Sequence, residues 1–435
     1  MSSQLEDSSG GALKAATAFV AAEKPTIRSR LANIIHGLAG SGMVGGTGLF
    51  PWVRRRLMRL ANSFHPLTLI YRGEARLPQG GPHALLVSND LSASGAPKII
   101  FEIAQILHAS GFQVAVLSGS DGPFRTALTA AGISSIVDPN VFKPDAPIVM
   151  ALAAASDFAI CNTVLTAPVV RSLSPMIPTY WYIHEVSLVS EMLAIDPTLA
   201  PTFALPMSMW SGSELSAAEV RPFRRDIKIL PYGLDPLLPS GHKLSTPHDP
   251  IRIAIFGSIE RRKGQDIALE AIALLPVELR QMISLSIYGR VLDATFARML
   301  RNTLKSLPEV TIHGELAPEA YRRKMLECDA VLISSRDDTL PLVSLDALGA
   351  GRVLMCTPTT GTSAYLSNGV DGFVAGATDA QGMAAMITDA ILRRDSWPKI
   401  GIAAQKLFAL AFSKEAFAAR LRAEIEPAIR SSLAS

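Results

Sequence analysis

The chain has 435 residues, of which 49% are hydrophobic and 18% are charged, so it can bury large cores and is neither disordered nor collagen-like. Its formal net charge is only +3, which argues against a protein that wraps nucleic acid, since such proteins are usually far more basic. The charge is uneven: residues 1–80 hold ten Lys/Arg and four Asp/Glu, a net +6, and the remainder is slightly acidic.

Residues 1–80 are predicted to be a basic leader, helical in part and peripheral to a membrane. Its arginines cluster at Arg54, Arg55, Arg56 and Arg59, and each basic residue near an anionic lipid surface contributes about 1 kcal/mol. A solvated helix flank is the alternative. The uncharged stretch 31–53 contains six glycines and is a weak candidate for a membrane span.

The compartment is expected to be reducing. The three cysteines, Cys161, Cys328 and Cys356, are far apart and odd in number, so they suggest neither a disulfide framework nor a metal site. Cys328 is expected to be packed rather than reactive. Residues 1–11 are polar and lack the apolar core of a secretory signal. We therefore expect a cytoplasmic protein, peripheral on the inner face of the cytoplasmic membrane.

From residue 81 onward the pattern is typical of an α/β domain. Apolar runs indicate strands, and helical patterns lie between them; the runs are 84–88, 114–118, 158–161 and 179–183. This alternation predicts a parallel sheet with helices on both faces, as in Rossmann-like doubly wound domains. The first domain is placed at residues 81–240.

The same pattern restarts after the Pro-rich segment 236–250, which is interpreted as a linker. Strands are predicted at 251–256, 283–288, 310–313, 330–334 and 353–356. The second domain is placed at residues 250–413 and a C-terminal helix at 414–435, which we expect to pack back on the first domain. One continuous sheet is the alternative, which the Pro-rich segment disfavours. The prediction is two Rossmann-like domains that face a cleft.

The loop from Gly257 to Gly264 follows a strand and precedes a helix. Glycine lets a ligand approach the backbone, and a helix N-terminus attracts anions. Arg262 and Lys263 would add fixed positive charge. The loop matches neither a Walker A sequence nor GxGxxG. A solvated basic turn is the alternative.

Two acids, Asp338 and Asp346, are separated by seven residues. If the segment were helical, its eight steps would span about 12 Å, whereas glycosidase carboxylates lie about 5–9.5 Å apart. The pair therefore fits two ends of a long ligand better than a hydrolytic acid–base pair. The amides of Leu342 and Val343 at the start of the helix could hold a phosphate. An N-cap and a surface acid are the alternative.

His184 follows the predicted strand 179–183, so it lies at a strand's carboxyl end, where open sheets bind ligands. A core or capping histidine is the alternative. The other histidines form no metal-binding pattern, so no metal site is predicted.

Five motifs occur in an order that resembles the retaining GT-B enzymes of glycosyltransferase family four, the group 1 glycosyl transferases. They are Ser-Asn-Asp-Leu-Ser-Ala-Ser-Gly-Ala-Pro, Ile-His-Glu, Leu-Pro-Tyr-Gly-Leu-Asp, Phe-Gly-Ser-Ile-Glu-Arg-Arg-Lys-Gly-Gln-Asp and the two spaced acids. The resemblance covers residues 82–425 and leaves the leader out.

The resemblance implies roles for individual residues. Lys263 and Arg262, with the loop that begins at Gly257, would hold the diphosphate of a nucleotide-sugar. Asp338 would contact the donor sugar and Asp346 the ribose. The Leu342 and Val343 amides would bind phosphate, His184 would lie near the transferred sugar, and Gly95 would lie in the loop over the donor phosphates. No metal or other cofactor is required in such a site, because fixed charges stabilise the leaving diphosphate.

The sequence departs from the family at three positions. Ser258 follows Gly257, so the family's usual arginine near the start of this loop is absent. Both acids are aspartates where the family has glutamates, and each is shorter by one methylene. These changes leave the donor's identity and the level of activity open.

We expect a glycosyltransferase that transfers a hexose or deoxyhexose to a glycan or lipid-linked acceptor in cell-surface polysaccharide synthesis. Its partners would be the nucleotide-sugar, the acceptor and an anionic membrane surface, and no nucleic acid. A non-catalytic GT-B module that binds glycan or partner proteins is the alternative, motivated by the aspartates. An epimerase or phosphorylase is a third, although no pyridoxal-lysine motif of a phosphorylase is present.

Overall fold

The computed structural model describes residues 11–22, 68–73, 81–238 and 246–434. The chain forms two compact α/β units. The first contains residues 1–211, 216–230 and 418–435, and the second contains residues 212–215 and 231–417. Apart from residues 212–215, the chain passes into the second unit at Pro231, before the Pro-rich segment that was interpreted as the linker. Residues 239–245 of that segment lie outside the described residues.

The sheet of the first unit has eight strands in the order β1-β4-β3-β2-β5-β6-β7-β8. They are β1 Leu69–Tyr71, β2 His83–Ser88, β3 Gln113–Ser118, β4 Ser134–Val137, β5 Phe158–Asn162, β6 Thr179–Ile183, β7 Ser208–Ser211 and β8 Lys228–Ile229. All neighbours are parallel except β1, which pairs antiparallel with β4 at one edge. Strand β6 is buried at every position, as expected for a parallel strand covered on both faces.

The helices of this unit are α1 Gly11–Ala22, α2 Gly95–Ala109, α3 Pro123–Ala130, α4 Pro147–Ala153, α5 Ala167–Leu173, α6 Ser187–Ile195, α7 Leu199–Thr202 and α8 Glu214–Val220, the last from residue 216 onward. Pro123 and Pro147 open α3 and α4, where a missing amide hydrogen costs nothing. The core of the unit is the apolar layer between these helices and the sheet. In it, the Trp181 and Phe203 rings stack at 5.2 Å.

Two segments of the predicted leader belong to this first unit. Ala12 and Ala16 of α1 are buried in the same core cluster as Val149 of α4, and β1 supplies the antiparallel edge strand. The leader was expected to lie outside the α/β domain, and for these two segments the structure differs. The arginines dominated the prediction, because the small apolar face of α1 and the three-residue strand β1 are weak signals in the sequence. The arginine cluster at positions 54–59 and the uncharged stretch 31–53 lie outside the described residues.

The second unit has a six-stranded, fully parallel sheet in the order β11-β10-β9-β12-β13-β14. Its strands are β9 Ile251–Phe256, β10 Ile283–Tyr288, β11 Val310–Ile312, β12 Ala330–Ile333, β13 Val353–Cys356 and β14 Phe373–Val374. This is the doubly wound order in which the sheet grows outward in two directions from its first strand. The order reverses between β9 and β12. In the first unit the equivalent reversal lies between β2 and β5.

The helices of the second unit are α9 Gln265–Leu274, α10 Val277–Arg280, α11 Ala294–Thr303, α12 Pro318–Glu327, α13 Leu342–Gly349, α14 Ala380–Leu392 and α15 Trp397–Leu407. Asp293 caps α11 by accepting the amides of Thr295 and Phe296, each at 2.9 Å.

The last helix, α16, spans Lys414–Ala434 and belongs to the first unit from Ala418 onward. Its Glu424 carboxylate accepts hydrogen bonds from the Trp210 indole at 3.2 Å and the Lys228 ammonium at 2.8 Å. The C-terminal helix is therefore part of the first unit's structure.

Candidate functional site

The predicted site residues of the second unit lie on two loops beside the point where its strand order reverses and in helix α13, which follows the second loop. One loop follows β9 and contains Gly257 to Gly264; the other follows β12 and contains Asp338. Strands β9 and β12 are neighbours in the sheet. Open parallel sheets bind ligands in the crevice at such a point, beyond the carboxyl ends of the strands.

The loop after β9 is held against the loop after β12 by its backbone. Gly264 adopts a left-handed conformation at φ 64°, and a side chain there would overlap the Ser334 carbonyl, so only glycine fits. The Ser334 hydroxyl donates to the Lys263 carbonyl at 2.8 Å, and the Arg336 amide donates to the Arg262 carbonyl at 2.8 Å. The basic turn is therefore built into the unit and is more than a solvated loop.

Lys263 and Asp338 form an ion pair. The Lys263 Nζ lies 2.5 Å from Oδ2 of Asp338, and the two side chains are only 20% and 13% exposed. Arg262 approaches the same carboxylate oxygen at 3.8 Å and donates to the Asp337 carbonyl at 3.1 Å. Arg262 also pairs with the Glu260 carboxylate at 3.5 Å and the Asp337 carboxylate at 3.8 Å. Two cations and three carboxylates thus converge at the crevice, so a charged ligand would exchange partners with this ion-pair network.

Asp338 does not cap the following helix. Its amide donates to the Thr359 carbonyl at 3.1 Å, and its carbonyl accepts the Gly361 amide at 2.8 Å. The N-cap position of α13 is occupied by Pro341 instead. The N-cap alternative for Asp338 is therefore wrong, because its backbone pairs with the loop after β13.

Helix α13 begins at Leu342, so the amides of Leu342 and Val343 occupy its first two positions. Amides in the first turn of a helix have no acceptor within the helix and carry its partial positive charge. The two amides remain candidates for binding an anion.

Asp346 has a partner of its own, since its Oδ2 accepts the Tyr321 hydroxyl at 2.6 Å. Burial and the neighbouring carboxylate raise the pKa of Tyr321 well above its ordinary value, so this hydroxyl stays protonated and donates. The carboxylate of Asp346 is thereby oriented from helix α12. The sequence analysis did not identify Tyr321, which carries no motif signal of its own.

In the first unit, Asn162 connects the segment that begins α2 with His184. The Asn162 Nδ2 donates to the Ala96 carbonyl at 2.9 Å, and its Oδ1 contacts the His184 Nε2. Gly95 is the first residue of α2, and an added Cβ there would meet no atom within 4 Å. The two predicted residues of this unit, Gly95 and His184, are therefore connected through a third that was not predicted.

His184 and Glu185 have opposite pKa shifts with one cause, desolvation by burial. The pKa of His184 falls to about 3, and the pKa of Glu185 rises to about 7. The Glu185 carboxylate accepts the amides of Val164 at 3.1 Å and of His184 at 3.0 Å. His184 is thus a neutral imidazole at physiological pH.

The three cysteines are free and buried, and burial raises the pKa of Cys328 to about 12, so this thiol is packed rather than reactive. Among the described residues there is no group of three or more His, Cys, Asp or Glu side chains arranged to hold a metal ion. Within the same residues, no helix combines the length and the apolar character that crossing a membrane requires.

The chain has two doubly wound units. In the second, a cationic turn and a carboxylate lie where the strand order reverses between β9 and β12. This combination defines the GT-B class of glycosyltransferases. Two family models match the chain: residues 81–189 match "Glycosyl-transferase family 4" and residues 241–407 match "Glycosyl transferases group 1". The chain therefore belongs to the group 1, family 4 glycosyltransferases, a class of transferase enzymes. This membership confirms the family and the fold class predicted from the motif order.

A curated relative is D-inositol 3-phosphate glycosyltransferase of Geodermatophilus obscurus, which is 26% identical over 167 residues. The match covers 35% of this chain and 36% of the relative, so it spans about a third of the relative's length.

Solved structures show the same fold. Alr3699/HepE of Anabaena, in complex with UDP and glucose, aligns with a TM-score of 0.67 at 18% identity, over 80% of this chain and all of that one. Sucrose-phosphate synthase of Thermosynechococcus elongatus aligns with a TM-score of 0.63 at 15% identity, also over 80% of this chain and all of that one.

Proposed function

We propose that this protein is a retaining glycosyltransferase that moves a sugar from a nucleotide-sugar onto a glycan or lipid-linked saccharide in cell-surface polysaccharide synthesis. The observation that carries the proposal is the Lys263–Asp338 pair at the strand-order reversal of the second unit. Its fold relative HepE was solved with UDP and glucose, which supports a uridine diphosphate donor. Retention of anomeric configuration is supported by the resemblance of the motif order to retaining enzymes.

The donor diphosphate is assigned to the cationic groups of the second unit. Lys263 supplies a compact charge, Arg262 a planar fork, and Leu342 and Val343 two helix-terminal amides. These groups stabilise negative charge as it develops on the departing diphosphate. We therefore propose that transfer needs no metal ion, so that activity persists in excess EDTA.

The two carboxylates are assigned to hydroxyl groups of the donor. Asp338 accepts from a hydroxyl of the transferred sugar, and Asp346, oriented by Tyr321, accepts from the ribose. An ionised carboxylate only accepts hydrogen bonds, and sugars offer hydroxyl donors. Asp338 is also the counterion of Lys263, so sugar and diphosphate are bound by one connected group.

The identity of the nucleotide is tested by comparing the rise in melting temperature that UDP, GDP and dTDP each cause. A ligand that binds only the folded state raises the melting temperature. UDP is expected to give the largest shift, and Lys263→Ala is expected to reduce that shift. The matching nucleotide-sugars are then assayed for hydrolysis and transfer. Nucleotide binding that is absent, or unaffected by Lys263→Ala, would instead favour the non-catalytic binding module.

The acceptor and the membrane association are proposed from the charge of residues 1–80. Deleting the whole segment is a poor test, because α1 and β1 are structural parts of the first unit. The better variant replaces Arg54, Arg55, Arg56 and Arg59 with serine in the full chain. Flotation with anionic vesicles is expected to fall in this variant, and equal flotation of both proteins would remove the leader's proposed role.

A further inference from the structure

Arg336 lies in the loop that follows β12, and both its backbone and its side chain contact the basic turn Arg261–Lys263. Its amide donates to the Arg262 carbonyl at 2.8 Å, and its Nη1 donates to the Arg261 carbonyl at 2.7 Å. The Ser334 hydroxyl donates to the Lys263 carbonyl at 2.8 Å. All three carbonyls of the basic turn therefore accept hydrogen bonds from the loop after β12, and Arg336 supplies two of these bonds.

The guanidinium of Arg336 is itself held by Asp266, which lies in the first turn of α9. Nη1 and Nη2 donate to different carboxylate oxygens, both at 2.8 Å, and such a bidentate pair fixes the orientation of the planar guanidinium. These hydrogen bonds raise the pKa of Arg336, and the Asp266 side chain is only 11% exposed. Helix α9 begins just after the basic turn, so Arg336 joins the turn to the helix that follows it.

The basic turn places three cationic residues next to one another, and like charges repel. Asp338 attracts two of these side chains: the Lys263 Nζ lies 2.5 Å and the Arg262 Nη1 lies 3.8 Å from its Oδ2. A diphosphate that binds these cations would weaken their contacts with Asp338. The hydrogen bonds from Arg336 go to backbone carbonyls, for which an anion does not compete because both are acceptors. These bonds would therefore persist in the bound state.

We propose that Arg336 is a positioning residue, which holds the basic turn by its carbonyls so that Lys263 and Arg262 present their charges to the donor diphosphate. Arg336 acts through the turn and not by touching the ligand, because its Nη atoms are bonded to Asp266 and to the Arg261 carbonyl. Without this restraint the ligand itself would have to order two long side chains, which costs affinity. The inference rests on the proposed function for the identity of the ligand.

Limited trypsin digestion of the full chain tests the restraint without any ligand. Trypsin cleaves after arginine and lysine, so each residue of the basic turn is a cleavage site, and cleavage there requires the turn to open locally. Arg336→Gln removes the guanidinium and leaves the backbone amide in place. Mass spectrometry of the fragments is expected to show cleavage after residues 261–263 that is several times faster in this variant than in wild type.

Two further variants show whether the effect belongs to Arg336. Arg336→Lys keeps a positive charge that can reach either Asp266 or the Arg261 carbonyl, so it is expected to restore part of the protection. Arg280→Gln is the matched control, because Arg280 pairs with Glu309 at 2.9 Å in the same unit, with side chains 25% and 9% exposed. That pair lies beside the amino ends of β10 and β11, at the opposite edge of the sheet from the basic turn. Cleavage after residues 261–263 is expected to be as slow in Arg280→Gln as in wild type.

The effect on the ligand is measured by isothermal titration with UDP. Arg336→Gln is expected to weaken UDP binding by about 5- to 100-fold, the range that corresponds to ordering two long side chains, and Arg336→Lys is expected to weaken it less. Arg280→Gln is expected to bind UDP as the wild type does. In the Lys263→Ala background the further loss caused by Arg336→Gln should be clearly smaller, because one of the two cations that Arg336 positions is already missing.

Three outcomes would overturn the inference. The first is a basic turn that is cleaved no faster in Arg336→Gln than in Arg280→Gln. The second is an unchanged UDP affinity in an Arg336→Gln protein whose turn is cleaved faster. The third is an equal loss of UDP affinity from Arg336→Gln in the wild-type and Lys263→Ala backgrounds, which would indicate that Arg336 does not act through the turn. A wild-type protein that binds no nucleotide counts against the proposed function, while the digestion still decides whether Arg336 holds the turn.

Discussion

Lys263 and Asp338 are 75 positions apart in sequence, yet their charged groups lie 2.5 Å apart. The pair bridges the loops that follow two neighbouring strands, β9 and β12. Within this pair each charge is neutralised by the other. If the donor binds here as proposed, its diphosphate would compete with Asp338 for the ammonium, and a sugar hydroxyl would compete with Lys263 for the carboxylate. Binding of sugar and diphosphate is consequently expected to be interdependent.

Replacing Lys263 with alanine is expected to weaken UDP binding by about 10- to 100-fold, which corresponds to the loss of one charge-assisted hydrogen bond. Isothermal titration with UDP measures the effect. Lys399→Ala, which removes an exposed lysine of α15 in the same unit, is the control and should bind UDP as the wild type does. Equal affinities in the two variants would contradict the assignment of Lys263 to the diphosphate.

Replacing Asp338 with asparagine is expected to separate nucleotide binding from sugar transfer. Lys263 loses its counterion, so UDP affinity should be kept or should rise, while kcat for transfer should fall by about 100-fold or more because an acceptor oriented toward the sugar is lost. Asp338→Glu restores the charge with a longer side chain and is expected to retain more activity than Asp338→Asn. A parallel loss of UDP binding and turnover in Asp338→Asn would argue that the carboxylate serves only to orient Lys263.

The sequence predicted the strands and the loops of the site well, because buried parallel strands are continuous apolar runs and site loops follow them directly. Strand β9, for example, has the predicted bounds 251–256. What the sequence could not supply were partners that meet only after folding. Asn162 lies 22 positions from His184, and Tyr321 lies 25 positions from Asp346, at spacings that no local rule relates.

The same limit explains the first 80 residues. Charge and glycine content dominated their interpretation, and neither property reveals that Ala12 and Ala16 fit against the first unit's core. An edge strand of three residues, Leu69–Tyr71, is also too short to show a period of its own. Its antiparallel pairing with β4 depends on the sheet already being formed.

Replacing Gly95 with alanine tests the prediction that this residue lies in the segment over the donor phosphates. The structure has room for the added methyl group, and alanine favours the start of helix α2 as much as glycine or more, so the melting temperature should be unchanged or slightly raised. Affinity for the nucleotide-sugar is expected to fall several-fold if phosphate approaches the backbone here. Unchanged KM and kcat in a normally folded Gly95→Ala protein would place the donor elsewhere.

Replacing Tyr321 with phenylalanine removes the hydroxyl that orients Asp346 and leaves the ring contact with Phe256, at 5.2 Å between centroids, in place. The expected result is a several-fold loss of UDP affinity, since a less ordered carboxylate binds the ribose less well. Binding of inorganic pyrophosphate, which has no ribose, should be unchanged. An equal loss for both ligands would indicate that Tyr321 supports the fold of the unit and not the ribose contact.

The pH dependence of stability is expected to have two opposing contributions from His184 and Glu185. His184 has a folded pKa of about 3 against an ordinary 6.5, so the unfolded chain binds the extra proton in this interval and stability rises with pH from about 3 to 6.5. Glu185 has a folded pKa of about 7 against an ordinary 4.5. Here the folded chain holds the extra proton, and stability falls as pH rises from about 4.5 to 7.

Single variants separate these two contributions. Relative to wild type, His184→Gln should remove the rise, so its stability is expected to decline more steeply between pH 4.5 and 6.5. Glu185→Gln should remove the decline, so its stability is expected to rise more steeply over the same interval and to change little above it. Urea unfolding at each pH measures the free energies, and the double variant should lack both contributions. The compared quantity is the slope of the unfolding free energy against pH. If both single variants change this slope in the same direction relative to wild type, one of the two assigned pKa shifts is wrong. Comparing the slope of each single variant with that of the double variant then identifies which shift is wrong.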